Sequence, residues 1–311
     1  MTDPDISVVI PTRNEEANAL AIAQAVIGEL ESTGVSFDLI FIDNASRDRT
    51  VPILRDLCAR DRRVRLIVNT RDFGQMRSPT HGIFQARGRA VINMCADFQD
   101  SPALLPEFVR RWRAGADIVL GVRESERSSA GLAMTRRLSY GLARRLGDYP
   151  VVPNATGFGL YSRRVVSQIA RLREPEPFFR GMLVETGWPI ELVGYSRPAR
   201  VGGRSNNDFF TLLDFALSGL ASASKRLLRA PLYLGAIGLA IGLALIPLAL
   251  VAAALGHGGW GWAAAIAVEL QLALLFGFLG LMGDQIRLIA ERGRETPLVI
   301  ERERVNFPDA D

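Results

Sequence analysis

Three short polar clusters, each following an apolar run, hold the side chains of this chain best suited to chemistry. Ala90 to Met94 leads into Cys95-Ala96-Asp97-Phe98-Gln99-Asp100-Ser101-Pro102. Asp97 and Gln99 stand two apart, which in an extended segment puts them on one face. A carboxylate beside an amide oxygen suits Mg²⁺, an ion that keeps several waters and binds substrate phosphates. Asp100 and Ser101 equally suit capping of a helix that begins near Pro102. The second cluster, Pro11-Thr12-Arg13-Asn14-Glu15-Glu16, follows Ile6 to Ile10. Asn14 fits a helix N-cap, with Glu15 and Glu16 at the positive end of the helix dipole. A ligand fits the same place, because parallel strands present ligands at their carboxyl ends. The third, Asp43-Asn44-Ala45-Ser46-Arg47-Asp48-Arg49-Thr50, puts an acid where hydrogen bonding to a nucleoside is expected. Asp, Asn and Ser are also ordinary turn formers.

The elements needed to position these clusters are legible as alternation. Ile6–Ile10, Phe37–Ile42, Val64–Val68, Ala90–Met94 and Ile118–Val122 read as buried strands, with helical periodicity over Glu16–Leu30 and Val51–Ala59. Short strands separated by helices predict βαβ units and an α/β, doubly wound, mostly parallel sheet. Ile190–Tyr195 reads as a further strand and 197–207 as a polar loop. An amphipathic stretch then carries Phe209, Phe210, Leu213, Leu217 and Leu220 on one face, expected to lie in a membrane interface.

Ala230 to Gly256 contains no charged residue in 27 positions, and Gly258 to Gly283 only Glu269 in 26. Each exceeds the roughly 20 residues that span about 30 Å of hydrocarbon. Lys225, Arg226 and Arg229 precede the first run and Arg287, Arg292 and Arg294 follow the second, while the loop between has no Lys or Arg. That asymmetry predicts a hairpin with both ends inside. The expected domains are 1–205 catalytic and cytoplasmic, 206–229 a juxtamembrane helix, about 230–255 and 260–283 transmembrane helices, and 284–311 a cytoplasmic tail. The net charge of +4 does not argue for nucleic acid, since 36 of 37 basic residues are Arg and no reader motif accompanies them. Two Cys and two His exclude a disulfide scaffold and a Cys/His zinc site.

In order and spacing, Val9-Ile10-Pro11-x-x-Asn14-Glu15-Glu16, Asp43-x-x-Ser46-x-Asp48-x-Thr50 and Ala96-Asp97-Phe98-Gln99-Asp100 resemble family 2 glycosyltransferases. The resemblance is closest to the polyprenyl-phosphate type, that of dolichol-phosphate mannose synthase and bacterial undecaprenyl-phosphate glucosyltransferase. Phe73-Gly74-Gln75, Gly157-Phe158-x-Leu160, Phe179-Arg180-Gly181 and Gly203-Arg204-Ser205 extend it over most of the chain. It implies a GT-A-like fold in which Pro11, Asn14 and Glu15 line the nucleotide pocket, with Ser46 and Ser205 also on the substrate side. Asp43 would meet the base or ribose. Asp97 and Gln99 would bind Mg²⁺ (or Mn²⁺) bridging the donor diphosphate. Arg123 and Arg137 match arginines that meet phosphates, with Ser139 near them. The chain departs from the pattern at Cys95, where an Asp is usual, at Asn44, a common second Asp, at Gly159, often Arg, and at Asn206, often Lys.

The activity implied is transfer of a hexosyl unit, with inversion, from a nucleoside-diphosphate sugar to a polyprenyl phosphate at the cytoplasmic face of a bacterial inner membrane. The expected partners are that donor, that acceptor, the bilayer and a homo-oligomer. A phosphate acceptor is already an anion and needs no general base. Transfer to a hydroxyl of a lipid-linked glycan would need one, and Asp100 is the candidate by position. A non-catalytic membrane partner with a degenerate site is a third reading, motivated by Cys95.

Overall fold

The computed structural model describes residues 3–123, 152, 154–196, 251, 260–293 and 297–307. Arg137, Ser139, Ser205, the amphipathic stretch and most of the first apolar run lie outside the described residues.

Eight strands form one sheet: β1 (Ile6–Thr12), β2 (Phe37–Asp43), β3 (Val64–Asn69), β4 (Ala90–Asn93), β5 (Ile118–Arg123), β6 (Ala155–Ser162), β7 (Ile190–Tyr195) and β8 (Glu301–Val305). Their order is β7-β5-β6-β4-β1-β2-β3-β8. β1 pairs in parallel with β2 and β4, β2 with β3, and β5 with β7. β6 runs antiparallel between β4 and β5, and β8 runs antiparallel along β3. The central strands are continuous apolar runs because both of their faces are covered. Val8, Ile10, Leu39, Phe41, Leu66 and Val68 face one core, and Val9, Ile40, Ile42 and Ile67 face the other.

Helices α1 (Ala19–Glu31), α2 (Thr50–Arg60) and α4 (Leu105–Arg113) cover the first face. On α1 the buried residues Ala19, Ile22, Ala23, Val26 and Leu30 follow the helical period. α3 (Gly74–Gln85) and α5 (Arg163–Arg171) cover the second face. Gly82 lets α3 press against the sheet, since a Cβ there would stand 2.8 Å from Val9 Cγ1. α6 (Phe179–Glu185) follows, and α7 (Trp260–Gly293) is a 34-residue helix that takes in residues 260–283 of the second apolar run. Taken over the residues whose side chains are described, no helix is long and apolar enough to cross a membrane.

Three local expectations are corrected. Helix α1 starts at Ala19, with Asn18 in the capping position, so Asn14 does not cap it. Asp97 and Gln99 sit in a tight turn, not an extended segment: Phe98 has φ +59° and Asp97 Oδ1 accepts the Gln99 N–H at 3.2 Å. Asp100 and Ser101 make no side-chain cap to the 3₁₀ turn Pro102–Leu104. Residues 301–305, expected within a tail, form the eighth strand.

Candidate active site

Between β1 and β4 the order of strands reverses, and an open α/β sheet binds its ligands in the crevice at the carboxyl ends of such strands. The three polar clusters meet there, each carrying one left-handed residue: Asn14 (φ 55°), Ala45 (φ 59°) and Phe98 (φ 59°). Asn tolerates that conformation, whereas Ala and Phe are strained in it, and such residues gather where loops are shaped for ligands.

The first two loops are zipped by reciprocal hydrogen bonds. Asn14 N–H donates to Ser46 Oγ at 2.8 Å, and Asn14 Oδ1 accepts the Arg47 N–H at 2.8 Å. Glu15 N–H donates to Thr50 Oγ1 (2.8 Å) and Glu16 N–H to Asp48 Oδ2 (3.1 Å), while Glu16 Oε2 accepts the Arg49 N–H (3.0 Å). Pro11 is the half-buried penultimate residue of β1. Asp43 is fully buried, with Oδ2 accepting Ser46 N–H at 2.9 Å and Oδ1 a short hydrogen bond from the Ser46 hydroxyl. Burial raises its pKa, and the Ser46 contacts oppose the rise. Each Asp43 oxygen receives one hydrogen bond from Ser46, which leaves acceptor capacity on both.

Asn44 joins this pair of loops to the β3–α3 turn. Its Oδ1 accepts Phe73 N–H (2.9 Å) and Asn69 Nδ2 (3.2 Å), and its Nδ2 donates to Asp72 Oδ1 (2.5 Å) and Gly74 O (3.3 Å). Arg13 closes the circuit through an ion pair of 2.5 Å with Asp72. A carboxylate at position 44 could not donate, so the amide is what lets one side chain serve both partners.

The turn after β4 is pinned from beneath. Asp100 is 2% exposed, with Oδ2 accepting Cys95 N–H at 2.9 Å and Oδ1 accepting Tyr195 O–H at 3.0 Å. Burial pushes the Asp100 carboxyl up, against the contacts with Cys95 and Tyr195 and the charge of Arg123. Arg123 ends β5 in register with Tyr195 on β7. The structure thus brings Asp97, Gln99, Asp100 and Arg123 together. Tyr195 is the residue that sequence reasoning missed; its only signal was its place at a strand end. Cys95 is open to solvent, yet the surrounding protein pushes its thiol well above the usual range, helped by Asp100 and Asp97.

A divalent cation is implied by the resemblance. Among the described residues no group of three or more His, Cys, Asp or Glu is arranged to hold an ion. One half-buried carboxylate (Asp97) beside one amide (Gln99) fits a hydrated cation carried on a diphosphate, not one caged by protein. Gly159, another departure, lies in β6 against β5: a Cβ there would stand 2.4 Å from Val119 O, so no longer side chain fits, and Asn206 lies outside the described residues.

Glycosyl transferase family 2 matches residues 7–170. The chain is a family 2 glycosyltransferase. This glycosyltransferase is 34% identical over 233 residues to the bactoprenol glucosyl transferase of Shigella phage SfV, covering 74% of this chain and 75% of the relative. It is 32% identical to the prophage bactoprenol glucosyl transferase homolog of Escherichia coli, over 75% of this chain and 76% of that one. A glycosyltransferase of Bacillus subtilis, YkcC, aligns at 27% identity over 94% of this chain and 92% of its own. Among solved structures, glucosyl-3-phosphoglycerate synthase from Mycobacterium tuberculosis, crystallised with Mn²⁺, uridine diphosphate and phosphoglyceric acid, superposes with a TM-score of 0.50. At 20% identity over 70% of this chain and 76% of that one, the likeness concerns the fold.

Proposed function

We propose that this glycosyltransferase moves one hexosyl unit, with inversion, from a nucleoside-diphosphate sugar to a polyprenyl phosphate at the cytoplasmic membrane face. The observation that carries the choice of acceptor is Asp100. It is the carboxylate placed to act as a base toward a sugar hydroxyl, and it is buried with both oxygens engaged by Cys95 and Tyr195. His81 lies on α3 with Nε2 2.5 Å from Glu301 Oε1, away from the turn after β4. An acceptor that is already an anion needs no base. The names of the phage and Escherichia coli relatives favour the same class.

In this reading the loops of Pro11, Asn14, Glu15 and Ser46 hold the nucleoside, and Arg123 meets a phosphate with its two-pronged guanidinium. Asp97 and Gln99 would hold Mg²⁺ or Mn²⁺, which stabilises charge developing on the leaving diphosphate. Tyr195 and Asp100 keep the turn that carries Asp97 in place.

One feature supports attachment to a bilayer, and a second limits the form it can take. Helix α7 exposes Val268, Leu272, Leu275, Leu279 and Met282, apolar surface that water disfavours. β8 also returns to the sheet that β7 leaves, so the intervening chain must cross a bilayer an even number of times if it crosses at all. Two spans, at 230–255 and 260–283, satisfy that parity. The test is transfer by the purified full-length protein from UDP- and GDP-sugars to undecaprenyl phosphate, with mass spectrometry of the lipid. A hexosyl phospholipid is expected. Donor turnover that requires a glycan hydroxyl and leaves the lipid phosphate unmodified would overturn the proposal.

A further inference from the structure

The C-terminal strand has the composition of a solvated tail, Glu301-Arg302-Glu303-Arg304-Val305, yet it is laid along β3 in antiparallel register, from Leu66↔Val305 to Asn69↔Glu301. Val299 is buried, Val305 and Phe307 pack against the two cores, and the remaining contacts are polar. Glu303 takes a two-pronged contact from Arg55 at 3.0 and 2.5 Å, and Glu301 pairs with both His81 and Arg304. Arg304 also donates to Gln85 Oε1 at 2.7 Å. Asn306 Nδ2 donates to the Cys58 and Val64 carbonyls at 2.7 and 2.8 Å.

These contacts do not stop at the strand. Just beyond the end of β3, Thr70 N–H and its hydroxyl both donate to Ile300 O, at 2.9 and 3.1 Å. Arg77 Nη2 donates to Pro297 O at 2.9 Å. Residues 297–301 thus bracket the 70–77 segment from outside, while Asn44 and Arg13 grip it from inside through Asp72, Phe73 and Gly74. Asn44 directly follows Asp43, whose carboxylate also feels the charge of Arg302.

We infer that the C-terminal strand is a positioning element for the donor: residues 297–301 hold the β3–α3 turn against Asn44 and thereby set the shape of the nucleoside-binding loops. Glu301 is its principal anchor, because it ties the strand to α3 through His81 with both side chains largely buried (17% and 15% exposed). The inference rests on the donor reading proposed above. Its physical content is that affinity for the nucleotide sugar depends on five residues, 297–301, separated in sequence from the loops they support by more than two hundred positions.

The experiment uses the full-length protein, comparing Glu301→Ala and Glu301→Gln with the unsubstituted chain in two measurements. In steady-state kinetics with UDP-glucose as the probe, Glu301→Ala should raise the donor KM about tenfold, the loss expected for charged hydrogen bonds, with kcat within about twofold. Glu301→Gln, which keeps an acceptor for His81, should recover part of that loss. In hydrogen exchange, the peptide spanning 70–75 should exchange about tenfold faster in Glu301→Ala, as the Phe73 and Gly74 amides lose their fixed acceptors. A lowered melting temperature with unchanged donor KM and unchanged exchange at 70–75 would make the strand a stabiliser only and overturn the inference. If the unsubstituted protein binds no UDP- or GDP-sugar, the donor reading itself fails, and exchange at 70–75 still decides whether the strand holds the turn.

Discussion

Asp100 separates two chemistries, and its substitutions separate them by experiment. In Asp100→Ala two donors lose their acceptor: the Cys95 N–H at 2.9 Å and the Tyr195 O–H at 3.0 Å, at a site where Asp100 is 2% exposed. A buried donor left unmatched costs about 1–3 kcal/mol, so the two together cost roughly 2–6 kcal/mol. For a domain of this size that corresponds to a fall in melting temperature of roughly 4–24 °C. Asp100→Asn differs. Its carbonyl can keep the Cys95 N–H, and its amide can donate to the Tyr195 oxygen, because a phenol accepts as well as donates. The turn should survive, at a cost of about 1 kcal/mol for the lost charged hydrogen bond. If Asp100 only holds the turn, Asp100→Asn retains transfer to undecaprenyl phosphate within about tenfold of the unsubstituted enzyme. A general base contributes on the order of 10²–10⁴, and the amide would forfeit all of it. The assay is differential scanning fluorimetry beside initial rates from mass spectrometry of the lipid product. An Asp100→Asn protein that melts normally and has lost more than a hundredfold in rate refutes the positioning role.

Asp97→Asn should leave the melting temperature within about 2 °C, since its side chain is half-buried, and reduce transfer at least tenfold; titration calorimetry of Mn²⁺ in the presence of UDP checks the cause. Gly159→Ala should cost about 3 kcal/mol or more by urea unfolding, because its Cβ would stand 2.4 Å from a backbone oxygen that cannot move aside cheaply. For Glu301, burial pushes the carboxyl up, but hydrogen bonds from His81 and Arg304 outweigh it and hold the pKa at about 2. A depressed acid stabilises the fold above its unfolded value and loses that contribution as pH falls toward 2, so the unsubstituted protein should lose more melting temperature between pH 5 and 2 than Glu301→Gln does. Arg123→Ala should raise KM for undecaprenyl phosphate at least tenfold with donor KM nearly unchanged, and Arg123→Lys should recover only part; a change confined to donor KM would move this arginine to the diphosphate.

The parallel core was legible because its strands are buried on both faces and so read as unbroken apolar runs, with boundaries that moved by one or two residues. β6 lacked that signal: Ala155-Thr156-Gly157-Phe158-Gly159 carries two glycines, and Gly157 is at φ +88°. β8 carried one apolar residue, Val305, among four charged ones, and alternating charges read as solvent-facing although ion pairs and the ladder with β3 hold them. At the site, the residue types near each strand end were visible, but their partners were not. The Asp100–Tyr195 contact spans 95 positions and exists only because β7 lies parallel to β5. Asn44 looked like a departure from a family pattern, and the structure makes it the amide that joins three loops. Asp97 and Gln99 were expected on one extended face, and the left-handed Phe98 turns the chain between them instead.

The way the sheet is attached bears on how a lipid phosphate could meet it. β7 runs parallel to β5, and β8 runs antiparallel to β3, at opposite edges of the eight strands. The chain therefore leaves the sheet at Tyr195 from the carboxyl end of β7. It re-enters at Glu301, opposite Asn69, the carboxyl end of β3. Both attachments lie at the end of the sheet that bears the crevice, and at ~4.8 Å per strand they stand roughly 34 Å apart. A prenyl chain stays in the bilayer because withdrawing it costs about 0.8 kcal/mol per CH₂, so only its phosphate can be offered to an enzyme at the surface. In the reading proposed above, a sheet tethered at both edges from its carboxyl end turns its crevice toward that surface. One tethered from the opposite end would turn Asp97 and Arg123 away from it.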